Sequence, residues 1–301
     1  MSPNSTADAP TLSLRGVSKH YDDFDLGPID LELEPGMVLA FVGPNGAGKT
    51  TTLHSTMGLV RPDNGVIEVC GRVNDTNRPD WKQDVGFVGE IQGHYQSWTV
   101  EQNLRFIERF YRNFDRVRAE ALAKRFGLRL AKRVGELSRG GKAKLALVAA
   151  LAHSPRLLLL DEPTAGLDPV VRAEVLDVLW EFLEDGERSI LYSTHVLSDI
   201  SRLADEIAFL RDGRVVRRDA KDALTDAWRR LSFRYAGELP ALGTARRHRR
   251  SGDEHELVTP DGSSSVAMLR ELGAERIQEV RMTIDEIAVE ILREGHHVAS
   301  D

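Results

Sequence analysis

The feature that most restricts how this chain folds is an octapeptide, Gly43-Pro44-Asn45-Gly46-Ala47-Gly48-Lys49-Thr50. It matches G-x-x-x-x-G-K-[ST] and stands where that pattern has physical meaning, between an apolar run, Met37 to Val42, and a helix-forming stretch, Lys49 to Leu59. Turn signals bound the apolar run, which reads as a strand buried on both faces. The glycines let successive backbone N–H groups face one concavity, and the helix behind them adds the positive end of its dipole. Such a loop is built to hold phosphate. On this pattern Lys49 reaches the β- and γ-phosphates of a nucleoside triphosphate and the Thr50 hydroxyl ligates Mg²⁺, the binding segment running from Gly43 through Thr51.

A second run, Leu157-Leu158-Leu159-Leu160-Asp161-Glu162, is a hydrophobic strand ending in two carboxylates. Beside a phosphate loop, Asp161 is placed to hold Mg²⁺ and Glu162 to take a proton from an attacking water. An acidic pair in this position also serves as a solvated loop or a helix cap in other settings. Further strands are expected at Leu12 to Leu14, Ile29 to Leu33, Val66 to Cys70 after a hairpin-like Asn64-Gly65, Ser189 to Tyr192, and in a hairpin, Ile207 to Leu210 and Arg214 to Val216, turned by Asp212-Gly213. Between about residues 90 and 152 the pattern is helical. Thr99 with Gln102 forms a capping-box signature for a helix running towards Tyr111, Asp115 to Phe126 continues in helical spacing, and Leu145 to Ala152 reads as buried helix. The whole is an α/β core with a helical insertion.

Past about Asp219 the character changes to a small α+β appendage, covering 219–301. It has short strands at Arg230 to Tyr235 and Glu254 to Val258 around an arginine-rich connection, Arg246-Arg247-His248-Arg249-Arg250. Ser264 to Leu272 is helical, Arg276 to Met282 extended, and Thr283 to Arg293 helical behind a Thr283–Glu286 capping box. The arginine run reads as a solvated hairpin loop, with RNA or lipid headgroups as the functional alternative.

Composition narrows the function. The net charge of −7 over 301 residues opposes a protein that coats nucleic acid, and the single cysteine, Cys70, rules out an internal disulfide. Residues 1–10 are polar and are expected to form a disordered leader. No stretch approaches the ~18 uninterrupted apolar residues of a membrane span, so membrane work needs a partner.

Taken together these residues resemble the ATP-binding subunit of an ABC transporter. Further matches come in that family's order. Leu137-Ser138-Arg139-Gly140-Gly141 fills the signature slot, Ala165-Gly166-Leu167-Asp168 the loop that crosses to a second subunit, and Ser193-Thr194-His195 the switch whose histidine contacts the γ-phosphate. Tyr21 matches the aromatic that stacks on adenine; simple packing is its other use. Over residues 11–218 the resemblance implies a P-loop NTPase cassette: a RecA-like core, an antiparallel β subdomain and a helical subdomain. It implies ATP and Mg²⁺ as cofactors, Glu162 as general base, and Ser138 and Gly140 facing ATP held by the opposite subunit. Its expected partners are a second ATPase subunit and a polytopic permease, with no nucleic acid. It implies a cytoplasmic protein, peripheral on the inner face of the membrane. Bacterial exporters of the self-immunity kind are the nearest in pattern.

Two departures stand out. Glu90, in Val85-Gly86-Phe87-Val88-Gly89-Glu90, occupies the slot of the family's glutamine, where it is expected to touch the metal and take part in catalysis; Gln92 is the alternative counterpart. Arg139 replaces a glycine and Gly141 a glutamine in the signature, leaving Arg139 either at the subunit interface or in solvent, and leaving homodimer and heterodimer both open. Rival functions are a soluble ATPase acting on ribosome or DNA, and a regulatory module that binds ATP without hydrolysing it.

Overall fold

Residues 9–90, 93–237, 239–240 and 245–293 are described by the computed structural model. The chain divides into two units, Met1–Val216 and Arg217–Asp301. In the first, β1 (Leu12–Tyr21) and β2 (Phe24–Leu33) pair antiparallel, with Leu12 opposite Leu33 and Tyr21 opposite Phe24. After β3 (Val38–Val42) and α1 (Lys49–Thr56), β4 (Asn64–Val69) adds to the free side of β1 and β5 (Arg72–Val73) to β4. The turn expected at Asn64-Gly65 is absent. Asn64 already pairs with Ser18 of β1, and the chain reverses at Cys70-Gly71, whose φ values of 50° and 75° are those a two-residue hairpin turn demands.

β6 (Val85–Val88) leads into a helical stretch, α2 (Val100–Glu108), α3 (Arg116–Arg125) and α4 (Arg139–Leu151). The Thr99 capping box is made in full: Thr99 Oγ1 accepts from Gln102 N at 3.1 Å and Gln102 Oε1 from Thr99 N at 2.9 Å. The chain then alternates through β7 (Leu157–Asp161), α5 (Pro169–Leu183), β8 (Ser189–Thr194), α6 (Leu197–Leu203), β9 (Glu206–Arg211) and β10 (Arg214–Ala220). The resulting six-stranded sheet has the order β10-β9-β3-β8-β7-β6, and β9, β3, β8, β7 and β6 run parallel.

The continuous apolar runs are explained by the layers on either side. Leu157, Leu159, Leu191 and Phe41 pack towards Leu14, Ile29 and Leu31 of the antiparallel sheet. Leu158, Leu160 and Ile190 face Leu145 and Val148 of α4 and Val175 and Leu179 of α5. Each buried leucine contributes roughly 1.5–3 kcal/mol, so two helix- or sheet-covered faces hold the strand ends in register.

The second unit contains α7 (Lys221–Ala227), β11 (Arg229–Arg234), β12 (Arg247–Ser251), β13 (Glu254–Thr259), α8 (Gly262–Glu271), β14 (Glu275–Arg281) and α9 (Ile284–Arg293). Its strands form one antiparallel sheet, β12-β13-β11-β14, over a core of Leu231, Phe233, Leu257, Val266 and Leu269. The arginine run is therefore not a loop: residues 247–251 are an edge strand in register with β13. On an edge strand the charge of the arginines blocks pairing with other chains. Arg247 pairs with Glu290 at 3.1 Å and His248 Nε2 meets His255 Nδ1 at 2.8 Å, so both already have protein partners.

Candidate functional site

The C-terminal ends of β3, β7 and β8 meet at one edge of the parallel sheet, where α/β folds bind their ligands. The phosphate loop leaves β3 there. Pro44, Asn45 and Gly46 are exposed while Gly43, Ala47 and Gly48 are buried, and the loop closes on itself through Ala47 N to Pro44 O, 3.2 Å. Lys49 folds back so that its Nζ donates to Gly43 O (2.7 Å) and Pro44 O (3.1 Å). Burial pushes its ammonium below the usual lysine range, and the carboxylates of Glu162 and Asp161 oppose that shift. No side chain caps α1 and no acid lies in its first turn, so its N–H groups face outward for an anion. Thr50 is exposed at the mouth and Thr51 half-buried behind it.

Asp161 ends β7 at 1% exposure, and neither of its carboxylate oxygens has a hydrogen-bond partner among the described residues. Ser193, its neighbour across the sheet, is likewise buried with an unpartnered hydroxyl. A bare buried carboxylate costs several kcal/mol in the absence of a cation. The next residue, Glu162, takes φ 52°, a left-handed conformation that few side chains adopt. That twist sends its carboxylate away from Asp161 and onto β8: Oε2 lies 2.9 Å from His195 Nδ1, 3.3 Å from His195 N and 3.4 Å from Thr194 Oγ1. Glu162 is mostly buried and His195 mostly exposed.

Tyr21, at the end of β1, is 38% exposed, with its ring 6.4 Å from that of Phe24. Phe24 in turn lies against Gly48: a Cβ on that residue would stand 3.1 Å from Phe24 Cζ. Tyr21 is thus one ring removed from the phosphate loop. Glu90 is exposed two residues beyond β6, and the register Val88 to Leu160 brings it to the same sheet edge as Asp161. Gln92 lies outside the described residues.

The remaining residues form a separate group. Ser138 caps α4 by accepting from Gly141 N at 3.1 Å, and Asp168 caps α5 by accepting from Val170 N and Val171 N, each at 3.1 Å. The two helix starts touch, since a Cβ on Gly140 would lie 3.2 Å from Val171 Cγ1. Arg139 is exposed to solvent. Its guanidinium lies over Gly166, where a Cβ would be 2.6 Å from Nη1 and 2.7 Å from Cζ. No hydrogen bond or ion pair among the described residues joins this group to Lys49, Asp161 or Glu162.

Sequence reasoning passed over a buried polar cluster directly behind Glu162 and His195: Thr164, Arg172, Tyr192 and Asp199. A lone aspartate in an amphipathic helix carries no signal of its own, and only the tertiary approach of α5, β8 and α6 reveals it.

A phosphate loop at the end of β3, a buried acid at the end of β7 and an acid–imidazole pair beside it define a nucleoside-triphosphate-hydrolysing P-loop enzyme. The family profile described as ABC transporter matches residues 26–165. ABC transporter ATP-binding protein NatA of Bacillus subtilis (strain 168) is 35% identical over 214 residues, covering 69% of this chain and 86% of that protein. Nod factor export ATP-binding protein I of Burkholderia lata is 35% identical, covering 72% of this chain and 73% of that one. A solved ATP-binding subunit of an ABC transporter superposes with a TM-score of 0.66 at 29% identity, covering 72% of this chain and 92% of its own. This chain belongs to the ABC transporter ATP-binding proteins, and it is an ATPase.

Proposed function

We propose that this subunit dimerises on ATP and powers export through a separate membrane-embedded permease, with Glu162 as general base. The observation that carries the reading is the Glu162–His195 contact of 2.9 Å, set beside a phosphate loop that ends in Lys49 and Thr50. Glu162 is oriented by three donors of the switch segment, so it is positioned to accept the proton of a water attacking the γ-phosphate. His195, exposed on the same edge, is available to the γ-phosphate itself.

The donor set fits Mg²⁺. Asp161 offers two buried oxygens that no described residue satisfies with a hydrogen bond, and Thr50 a hydroxyl at the loop mouth. Among the described residues no three His, Cys, Asp or Glu side chains gather into a metal cage, in keeping with an ion that completes its shell from phosphates and water. Bound there, the ion neutralises phosphate charge; Glu90 is the further oxygen that the sheet edge offers.

Ser138 and Gly140, at the N-terminus of α4 where no acid lies in the first turn, and Asp168 are proposed to face ATP held by the opposite subunit, identical or different. Tyr21 is proposed to stack on adenine. For the permease, a groove of about 470 Å³ is lined by Phe87, Phe106, Ile107, Phe110, Tyr111 and Ala149, with Phe110 60% exposed. Such a rimmed apolar groove suits a short amphipathic segment of another protein. No described helix is long and apolar enough to cross a membrane; the likeness to transporter ATP-binding proteins is what supports a peripheral place at the inner face. The names of the relatives favour transport over a role on ribosome or DNA, and export over import.

The Glu162→Gln variant tests the reading. It is expected to bind ATP with unchanged affinity, lose hydrolysis and accumulate as ATP-dependent dimers by size exclusion. Wild-type turnover in that variant removes the base assignment.

A further inference from the structure

Two buried aspartates mark this region, one in the site and one behind it, and they differ in what surrounds them. Asp161 is bare, as a cation ligand is. Asp199, on α6 and also 1% exposed, is saturated. Its Oδ2 accepts from Tyr192 OH at 2.9 Å and from Thr164 Oγ1, and its Oδ1 accepts from Arg172 Nε. Arg172 also donates to Ser198 Oγ, and Thr164 Oγ1 lies 3.1 Å from Tyr192 OH. Burial and the Asp199 charge hold the Tyr192 phenol well above its ordinary range, so it stays a donor.

Thr164 stands two residues after Glu162, Tyr192 three before His195 and Asp199 four after it. One carboxylate therefore ties together the loop that carries the base, the strand that leads to the switch, the helix that follows the switch, and α5 through Arg172. Stability alone is a poor reason for such a cluster. A buried ion pair is commonly matched or exceeded by apolar residues of the same volume. The cluster instead fixes where two loops lie, and Glu162 needs that: its left-handed backbone persists only if the surroundings enforce it, and its carboxylate has its partners on the opposite loop.

We propose that Asp199, held by Arg172, Tyr192 and Thr164, is the positioning residue that keeps Glu162 registered against His195 for hydrolysis. This rests on the assignment of Glu162 as base.

The test uses the full chain with ATP and Mg²⁺, reading kcat, KM, nucleotide Kd and Tm together. Asp199→Asn is expected to lower kcat about 10- to 100-fold, as loss of a supporting shell does, with KM and Kd within about twofold of wild type. Asp199→Glu is expected to recover part of kcat. The decisive variant pairs Asp199→Leu with Arg172→Met, which removes both charges and refills the volume. Its Tm is expected to return to the wild-type value while kcat stays low. Tyr192→Phe, which deletes one hydroxyl without disturbing packing, is expected to lower kcat several-fold at constant KM, and it serves even where Asp199→Asn folds poorly. A Leu/Met pair with wild-type kcat, or an Asp199→Asn whose turnover falls only in step with its folded fraction, overturns the role. The two assignments fail separately. If Glu162→Gln leaves turnover intact the base is wrong; if Glu162→Gln abolishes turnover and the Leu/Met pair retains it, only the role of Asp199 falls.

Discussion

Asp161 carries its charge at 1% exposure with no hydrogen-bond partner on either oxygen among the described residues, a cost to the nucleotide-free protein that a bound cation would offset. Exchanging the charge for a neutral amide of the same shape removes that penalty and also one of the two charges that offset the burial of Lys49, so only the difference is recovered. Asp161→Asn is accordingly expected to raise the melting temperature of the nucleotide-free chain by about 2–4 °C for each kcal/mol recovered, while hydrolysis is lost. Calorimetry without nucleotide checks the first part and a phosphate-release assay the second; a lowered melting temperature would mean that the carboxylate is satisfied in a way the hydrogen-bond geometry does not reveal. Lys49 shows the opposite management of a buried charge, with two backbone carbonyls wrapped around it and two acids opposing the cost of its burial.

Among the elements, the starts of α4 and α5 meet where two glycines leave room for a neighbour's side chain. Gly166, at φ 68°, lies beneath the Arg139 guanidinium, and Gly140 beneath Val171. Two effects compete when Gly166 becomes alanine. The left-handed backbone costs about 1 kcal/mol for any side chain. The clash with Arg139 is cheaper, because the far end of a long side chain can swing aside. Gly166→Ala should therefore cost about 1 kcal/mol whether residue 139 is arginine or alanine, with a coupling below about 0.5 kcal/mol in a double-mutant cycle by urea unfolding. A much larger coupling would show that the guanidinium is held rigidly in place.

At the scale of the molecule, acid sensitivity should come from histidines kept neutral by packing. His153 follows α4, is 2% exposed, stacks on Tyr111 with ring centroids 3.8 Å apart and donates from Nε2 to Val85 O at 3.0 Å. Burial pushes its pKa down to about 4. Above about pH 6.5 the ring is neutral in folded and unfolded chains alike, and its packing contributes fully. As pH falls from there towards 4, the unfolded chain takes up a proton that the folded chain refuses. Stability then declines, by about 3 kcal/mol across the window for this one group. His153→Phe is expected to flatten that part of the stability-against-pH curve in denaturant titrations between pH 4 and 7; an unchanged slope would mean that other groups dominate it. His248 is shifted in the same direction by burial, with His255 and Arg250 adding to it.

Most of the candidate site's placement at one sheet edge was legible in the sequence, because each of its parts is a local pattern. A glycine-rich loop between strand and helix, two acids closing an apolar run, and a histidine after a strand are recognisable within ten residues of chain. So were the capping boxes at Thr99 and Thr283, where a side chain satisfies its own helix. Strand length and turn position were not, as Asn64-Gly65 and the 247–251 edge strand show, because pairing partners far along the chain override local propensity. The placement of Arg139 over Gly166 and the cluster around Asp199 were invisible for the same reason. What local chemistry encodes is which atoms can grip a triphosphate; only the packing of β7, β8, α5 and α6 decided how Glu162 is aimed, since a buried charge acquires its role from neighbours that the linear order keeps apart.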